Sequence, residues 1–374
     1  MAYMPNPLFP GDLHDTAARL AASLAQNTRG FATSAPPAEG SEGWRQMLEL
    51  GWQGVWIGEA DGGFGGSFAD LAAIVEALGR QAVVSPLIAR AGVVPAVLGP
   101  FASQAAVRAL LESHAAGEAS VCPVLSSSGE LPHDSGHPAS PMLGADGRLA
   151  GQLRGVDLTE PASHLLFAAQ GADGTRSLVL TEAAPLLSRA RHYSSNDGRR
   201  CADLDVTGMA LPEGAVLASG NAATQALAAG LAAGALLSCV EAVGTAAGLV
   251  TQTIDYLNTR VQFGVALSTF QSLRHRLVEM YVAYENTFGM SRHLVLAHSA
   301  APQPLKDILT AKLYMNKVAR QVGEAAIQLH GGMGMTTETQ ASRMAVRAIT
   351  GAFDYGDSAQ CLDWLAAHTL AEAA

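Results

Sequence analysis

The feature that most constrains the fold is a succession of long helical segments with short connections after residue 220. The first, Asn221–Asn258, is rich in alanine and glycine, and the second, Thr269–Ser299, places large apolar residues on one stripe. The third, Leu305–Leu329, carries its apolar residues in a near-heptad seam. Shorter helical segments follow over Thr337–Ala352 and Ser358–Ala371. Long helices with short connections predict a four-helix bundle.

Two differently built regions precede this bundle. Residues 1–117 contain further helical patterns, including a helix that Ser67 is placed to cap. From Ala119, short apolar runs alternate with Gly, Pro, Ser and Asp, which predicts strands and turns. The expected fold is mainly α with a small β domain. It comprises an N-terminal helical domain (1–117), a middle β domain of barrel or sandwich type (118–219) and a C-terminal four-helix bundle (220–374).

Composition argues against several classes of protein and site. The net charge of -10 disfavours a surface for nucleic acid or anionic membranes. The most apolar run, Ala226–Val240, is too short to span a membrane and is interpreted as a buried helix. The four cysteines, none in CxxC spacing, predict neither a metal site nor a disulfide framework. The N-terminal stretch does not resemble a signal peptide, so a cytoplasmic location is expected.

Two short stretches carry chemistry suited to an anionic ligand. The turn after the first long helix contains Arg260, Gln262, Phe263 and Gly264, which supply a forked cationic donor, an aromatic face and a flexible turn. The third helix ends in AIQLHGGMG, Ala326–Gly334, whose glycines expose backbone N–H groups. Each stretch also has a plain alternative, because arginines and glycines commonly cap the C-terminal ends of helices.

Taken together, four stretches resemble the flavin-dependent acyl-CoA dehydrogenase family, in the family's order and over nearly the entire chain. They are Trp44–Arg80, Leu211–Leu217, Arg260–Gln271 and Ala326–Gly334. The resemblance implies FAD as the cofactor, with its pyrophosphate on Arg260 and its adenosine end against Phe263 and Gln271. It implies that a neighbouring subunit clasps the same FAD with Gln328, Gly331 and Gly332. Two further candidates for contacts with the cofactor are Gln262 and Asp357.

The resemblance fails at the catalytic base, the carboxylate that removes a proton α to the thioester carbonyl while the flavin accepts hydride. Family members usually carry a glutamate in the turn before the last helix. Counting from Gln328 places that position on Tyr355, and counting from Arg347 places it on Gly356. The neighbouring Asp354 is one candidate base, although aspartate beside glycine is also ordinary turn chemistry.

Some members of the family place the base in the first bundle helix instead. Counting back from Arg260, that position falls near Gly234 or Ala235, which carry no carboxylate. Glu241, about two turns further along the helix, is the second candidate base.

The β domain departs from the family as well. The family's flavin-facing TEPxAGSD pattern is missing from the corresponding stretch, Val121–Asp134. Its tryptophan–isoleucine–threonine strand appears here as Gly155-Val156-Asp157. The stretches that hold the dinucleotide are therefore retained, whereas those that face the flavin ring are changed.

With its missing base and its tail YGDSAQCLDWLA, the chain resembles the degenerate chains of heteromeric acyl-CoA dehydrogenases, such as those of bacterial steroid and aromatic-acid breakdown. The expected function is α,β-dehydrogenation of an acyl-CoA in a heterotetramer with a homologous catalytic subunit, which contributes the base. An electron-transfer flavoprotein-like protein is the expected acceptor. Three alternatives stay open: a self-sufficient homotetramer using Asp354 or Glu241, a flavin monooxygenase- or nitroalkane-oxidase-like relative, and a non-catalytic scaffold subunit.

Overall fold

The computed structural model describes residues 5–27, 40–125 and 140–373. Its first part is helical, as predicted. Ser67 caps the third helix and exchanges hydrogen bonds with Asp70 in a capping box, which fixes where that helix begins. A π-helical turn, Ile88–Val93, leads directly into the fourth helix. The helices of this part are α1 (Asp12–Asn27), α2 (Glu42–Glu49), α3 (Phe68–Gly79), α4 (Val94–Leu98) and α5 (Ala105–Ala115).

The middle of the chain forms two β-sheets. One has the strand order β3-β2-β5-β6-β9 with β1 beside β5, and the other has the order β4-β8-β7. The strands are β1 (Val121–Pro123), β2 (Met142–Leu143), β3 (Leu149–Ala150), β4 (Gln152–Asp157), β5 (His164–Gly171), β6 (Arg176–Glu182), β7 (Ala190–Ser194), β8 (Arg200–Asp205) and β9 (Val216–Ser219), with a short helix α6 (Ala184–Leu187) after β6. Most of the loop predicted at Ser126–Pro141 lies outside the described residues.

The two sheets share one apolar core. Val156 and Leu204 of the smaller sheet pack in the same buried cluster as Phe167 and Val179 of the larger one. Alternate residues of the larger sheet, including Leu166, belong instead to the core that the helices form. The β region is therefore a sandwich with one face on the helices, since side chains alternate between the two faces of a strand.

The last part is the predicted helical bundle. Its helices differ from the predicted segments by at most three residues at either end: α7 (Asn221–Thr259), α8 (Gln271–Ala300), α9 (Leu305–His330), α10 (Gln340–Gly351) and α11 (Ser358–Ala373). A two-stranded hairpin of β10 (Val261–Gln262) and β11 (Val265–Ala266) joins α7 to α8. These elements confirm the predicted fold class, and the division into three domains stays a prediction.

Helix α7 is the centre of the molecule, because α3, α8, α9 and α10 all pack on it. Glycine allows the closest of these approaches: a Cβ on Gly79 of α3 would lie 2.5 Å from the backbone oxygen of Glu241. Within the described ranges, α7 is the one helix long and apolar enough to cross a membrane. However, 83% of its most apolar window is buried inside the fold, as predicted for a bundle helix.

Candidate functional site

The corner between α7 and α8 is exposed and sharply turned. Arg260 leaves α7 with extended backbone angles, and the β10–β11 hairpin turns through Phe263 and Gly264, whose φ angles are +56° and +81°. A positive φ is uncommon for a residue other than glycine. The Phe263 ring is 90% exposed. It makes an edge contact with the Phe270 ring, and the two ring centroids are 6.1 Å apart. The corner therefore presents an aromatic face to its surroundings.

The corner also presents positive charge. Arg260 is exposed, and no hydrogen bond or ion pair from its guanidinium to any other described residue is found. No side chain caps the N-terminus of α8, where Gln271 is exposed and Arg274 and Arg276 lie in the first two turns. Free N–H groups and the helix dipole favour an anion at such an end. The chemistry of the corner fits a phosphate group.

The glycine stretch after α9 lies at the same end of the bundle. The rings of Tyr256, four residues before Arg260, and His330 stack with centroids 4.5 Å apart and planes 27° apart. His330 is also fixed by a contact of 2.8 Å between its Nδ1 and the backbone oxygen of Ala326. The sequence analysis did not identify this stacked pair, although both residues lie within or beside the quoted stretches.

The backbone after α9 is open to approach. Gly331 has a φ of +59°, and a Cβ on either Gly331 or Gly332 would meet no atom within 4 Å. Gln328 is exposed one turn earlier. The residues predicted to hold FAD thus fit it in kind: an unpaired cation, an exposed ring and accessible backbone. All of them lie on the surface, where a second chain can reach them.

Asp357 is placed differently from the other cofactor candidates. It lies at the start of α11, where its Oδ1 accepts a hydrogen bond from the backbone N–H of Gln360 at 2.9 Å. The Gln360 side chain in turn accepts from the backbone N–H of Asp357 at 3.0 Å. This reciprocal pair is a helix cap, so the structure gives Asp357 a structural contact and its binding role stays a prediction.

Both candidate bases contact one buried arginine. Arg347 of α10 donates to Glu241 through two nitrogens, at 2.6 Å and 3.1 Å, and to Asp354 at 3.2 Å. It also donates to Asp197, in the turn between β7 and β8, at 2.8 Å. Arg199 of the same turn donates to Asp197 at 2.9 Å and to Asp354 at 2.8 Å. These five residues are called the Arg347 cluster below.

The Arg347 cluster is a structural connection between the bundle and the β sandwich. Burial disfavours its charges, but the charges of Arg347 and Arg199 outweigh that effect and lower the pKa of Asp197 below its usual range. The three carboxylates likewise raise the pKa of Arg347 well above its usual value despite burial. Glu241 and Asp354 could act as bases only after giving up these contacts, so the structure provides no support for either role, which stays a prediction.

The residue that follows Asp354 in the chain is a buried tyrosine. Tyr355 is 5% exposed and has a φ of +56°. Its ring packs directly on α7 at Gly234, where a Cβ would lie 2.5 Å from Cε1 and 2.8 Å from Cγ of the ring. Two of the positions at which the resemblance places a base, Tyr355 and Gly234, are therefore in contact with each other, and neither carries a carboxylate.

From the sequence, Arg347 served only as a position from which the place of the catalytic base was counted, and neither Asp197 nor Arg199 was identified. A signal for Arg347 exists, because it shares the buried face of α10 with Met344 and Ala348. A cation on a buried helical face requires anionic partners. No pattern in the sequence names those partners.

Comparisons with known proteins agree with these observations. The model of the acyl-CoA dehydrogenase N-terminal domain matches residues 13–118, and that of the acyl-CoA dehydrogenase C-terminal domain matches residues 223–369. Acyl-CoA dehydrogenase IpdE2 of Mycobacterium tuberculosis is 28% identical over 79% of this chain and 76% of its own length. Acyl-CoA dehydrogenase FadE28 of the same organism is 26% identical over 78% of this chain and 82% of its own length.

Solved structures of acyl-CoA dehydrogenases are similar to this chain over nearly its whole length. A variant of the Tcur3481-Tcur3483 steroid ACAD has a TM-score of 0.78 and 25% identity, covering 96% of this chain and 97% of that chain. The ChsE4-ChsE5 complex from Mycobacterium tuberculosis has a TM-score of 0.77 and 17% identity, covering 97% and 98%. The second similarity, at its low identity, concerns the fold alone.

Proposed function

Because the chain belongs to the acyl-CoA dehydrogenase family, we propose that it is the partner-type subunit of an FAD-dependent acyl-CoA dehydrogenase complex. The complex oxidises the α,β C–C bond of a CoA thioester, and a homologous chain contributes the catalytic base. The proposed assembly is a heterotetramer in the cytoplasm, with an electron-transfer flavoprotein-like acceptor.

The exposed corner supports the FAD assignment. Arg260 provides a charged, forked donor that no other described residue engages, which suits a pyrophosphate. Gly331 and Gly332 offer backbone that a ligand can approach closely, since a Cβ there would meet no atom within 4 Å. Bound FAD supplies the hydride acceptor of the reaction. This chain's own residues bind and orient the dinucleotide.

The assignment as a partner subunit rests on one observation: Arg347 donates hydrogen bonds to both candidate bases. A general base must reach the proton that it removes. Glu241 and Asp354 instead accept hydrogen bonds from a buried guanidinium, and the ring of Tyr355 packs on α7 at Gly234. With both carboxylates so held, a base from a second chain is the simplest source of the missing group.

Similar structures support the heteromeric assembly and suggest the substrate class. The Tcur3481-Tcur3483 protein is named as a steroid enzyme, and ChsE4-ChsE5 is named as a complex. We therefore propose a bulky, steroid-derived acyl-CoA as the substrate class of the complex that contains this chain.

The test is a matched pair of base substitutions in the reconstituted complex. The chain is co-expressed with a homologue that carries a glutamate in the turn before its last helix, and reduction of an artificial acceptor is measured. The proposal predicts that glutamate-to-glutamine substitution in the homologue lowers turnover by about a hundredfold or more, whereas Glu241→Gln in this chain does not. Loss of turnover only in Glu241→Gln would contradict it.

A further inference from the structure

Tyr355 has an unusual backbone conformation for a buried aromatic residue. Its φ of +56° lies in the left-handed region that residues with a Cβ rarely adopt. Such strain persists only where the surroundings hold it, and it is concentrated at functional positions. The surroundings of Tyr355 therefore indicate what its ring is held in place to do.

The first surrounding element is α7, which has a glycine where the ring lies. A Cβ on Gly234 would lie 2.8 Å from Cγ of Tyr355, which is closer than two carbon atoms that are not bonded to each other can approach. Glycine in a helix interior is unfavourable relative to alanine. Glycine at this position therefore lowers the stability of the helix, but its missing Cβ makes room for the ring against the helix backbone.

The residues on both sides of Tyr355 are fastened. Asp354 accepts from Arg199 at 2.8 Å and from Arg347 at 3.2 Å. The backbone oxygen of Gly356 accepts from Nδ2 of buried Asn316 at 3.1 Å. Anchors before and after the ring leave the turn little freedom, which explains how the strained conformation is maintained.

The β sandwich contacts the same turn, because Arg199 donates to Asp354 at 2.8 Å. Burial, followed by the charges of Asp354 and Asp157, raises the pKa of Tyr355 well above its usual value, so the phenol stays neutral. Asp157 ends β4, and its backbone oxygen accepts from the thiol of Cys122 in β1 at 3.3 Å. The ring therefore occupies the junction between α7 and a turn that the β sandwich contacts.

We propose that Tyr355 fills this chain's own acyl cleft and keeps it closed to a thioester. The inference rests on the proposed function, because it identifies the junction with a substrate cleft. The geometry supplies the reason: the ring contacts Gly234, and both positions are among those that separate counts along the sequence assign to a base. Substrate can enter here only when the ring has left.

The test compares Tyr355→Gly with Tyr355→Phe in the purified full chain. Glycine keeps a φ of +56° without strain and removes the ring, whereas phenylalanine retains it. The probes are p-cresol, which is the tyrosine side chain itself, and octanoyl-CoA. We expect p-cresol to raise the melting temperature of the glycine variant alone, because engineered apolar cavities bind small aromatic molecules. We also expect octanoyl-CoA to bind that variant about tenfold more tightly than wild type.

Equal octanoyl-CoA binding by wild type and Tyr355→Gly would overturn the closure, and so would the absence of a p-cresol effect. If the glycine variant does not fold, Tyr355→Asn replaces it, because asparagine also tolerates a positive φ. Neither readout needs flavin or turnover. The binding measurements can therefore fail while the proposed function holds, because the proposed function is tested by turnover of the complex.

A second measurement tests the contact itself. Gly234→Ala should lower the melting temperature of wild type by about 1–4 °C through overpacking, and should leave the Tyr355→Gly variant unaffected. Equal effects in both backgrounds would show that the ring does not lie on Gly234 and would overturn the inference.

Discussion

Two regions along α7 differ in whether their polar groups are exposed or buried and paired. At its C-terminal end, Arg260 and the nearby glycine backbone are exposed and open to a ligand. In its middle, Glu241 is paired in the buried Arg347 cluster, and Gly234 is covered by Tyr355. The first region is arranged to receive a ligand, whereas the second is filled by the protein's own side chains. The proposed cofactor site and the two candidate bases thus occupy different parts of the molecule along one helix.

The largest expected effect is in the filled region. Arg347→Met removes the cation that joins three buried carboxylates, and it should lower the free energy of unfolding by about 3–5 kcal/mol. Urea unfolding followed by circular dichroism measures it. The matched control is Arg320→Met, because Arg320 pairs with Glu324 on the surface and its removal should leave the midpoint unchanged. A similar midpoint for both variants would contradict the structural role of the cluster.

The next effect is in the open region. Arg260→Ala removes an unpaired guanidinium, so we expect FAD to bind about 10- to 100-fold more weakly with no change in melting temperature. Titration of the apo complex with FAD, followed by flavin fluorescence, gives the affinity. Arg19→Ala, on the exposed face of α1, is the control. Unchanged FAD affinity in Arg260→Ala would remove the phosphate assignment.

A smaller effect is expected for the exposed ring of the same corner. Phe263→Ala should leave the melting temperature unchanged, because the ring is 90% exposed, and should weaken FAD binding by about 3- to 10-fold through loss of an aromatic face. The control is Phe64→Ala, a 62% exposed ring in the N-terminal region. Destabilisation by Phe263→Ala without any change in FAD affinity would mean that the ring serves folding instead.

The smallest effect concerns pH. The folded-state pKa of Asp197 is lowered, so the stabilisation it contributes is present above about pH 4, its unfolded value, and is lost as pH falls through the lowered folded-state value. The difference in unfolding free energy between wild type and Asp197→Asn should therefore shrink as pH falls from 6 toward about 3. Urea titrations at each pH measure the difference. A constant difference would show that Asp197 is not ionised in the folded protein.

The sequence predicted the helices well because their signals are local. Ser67 and Asp70 form the cap that begins α3, and the apolar periodicity of α8 and α9 extends over whole helices. The resemblance located the open region for a similar reason, since its residues lie in two continuous stretches.

The filled region could not be predicted in the same way. Arg347 lies 106 residues from Glu241 and 150 from Asp197, and only the folded chain brings them together. Counting along the sequence reached both Tyr355 and Gly234, yet it could not show that the ring lies on the glycine. Contacts between distant positions depend on how α7, α10 and the sandwich pack.

Whether this chain is a partner subunit is decided by its flavin content, alone and in complex with the homologous chain, measured by visible absorbance after denaturation. We expect little or no FAD on the chain alone, and both FAD and acyl-CoA-dependent turnover in the complex. One FAD per chain in a homotetramer that turns over by itself would contradict this expectation, because this chain would then provide its own base.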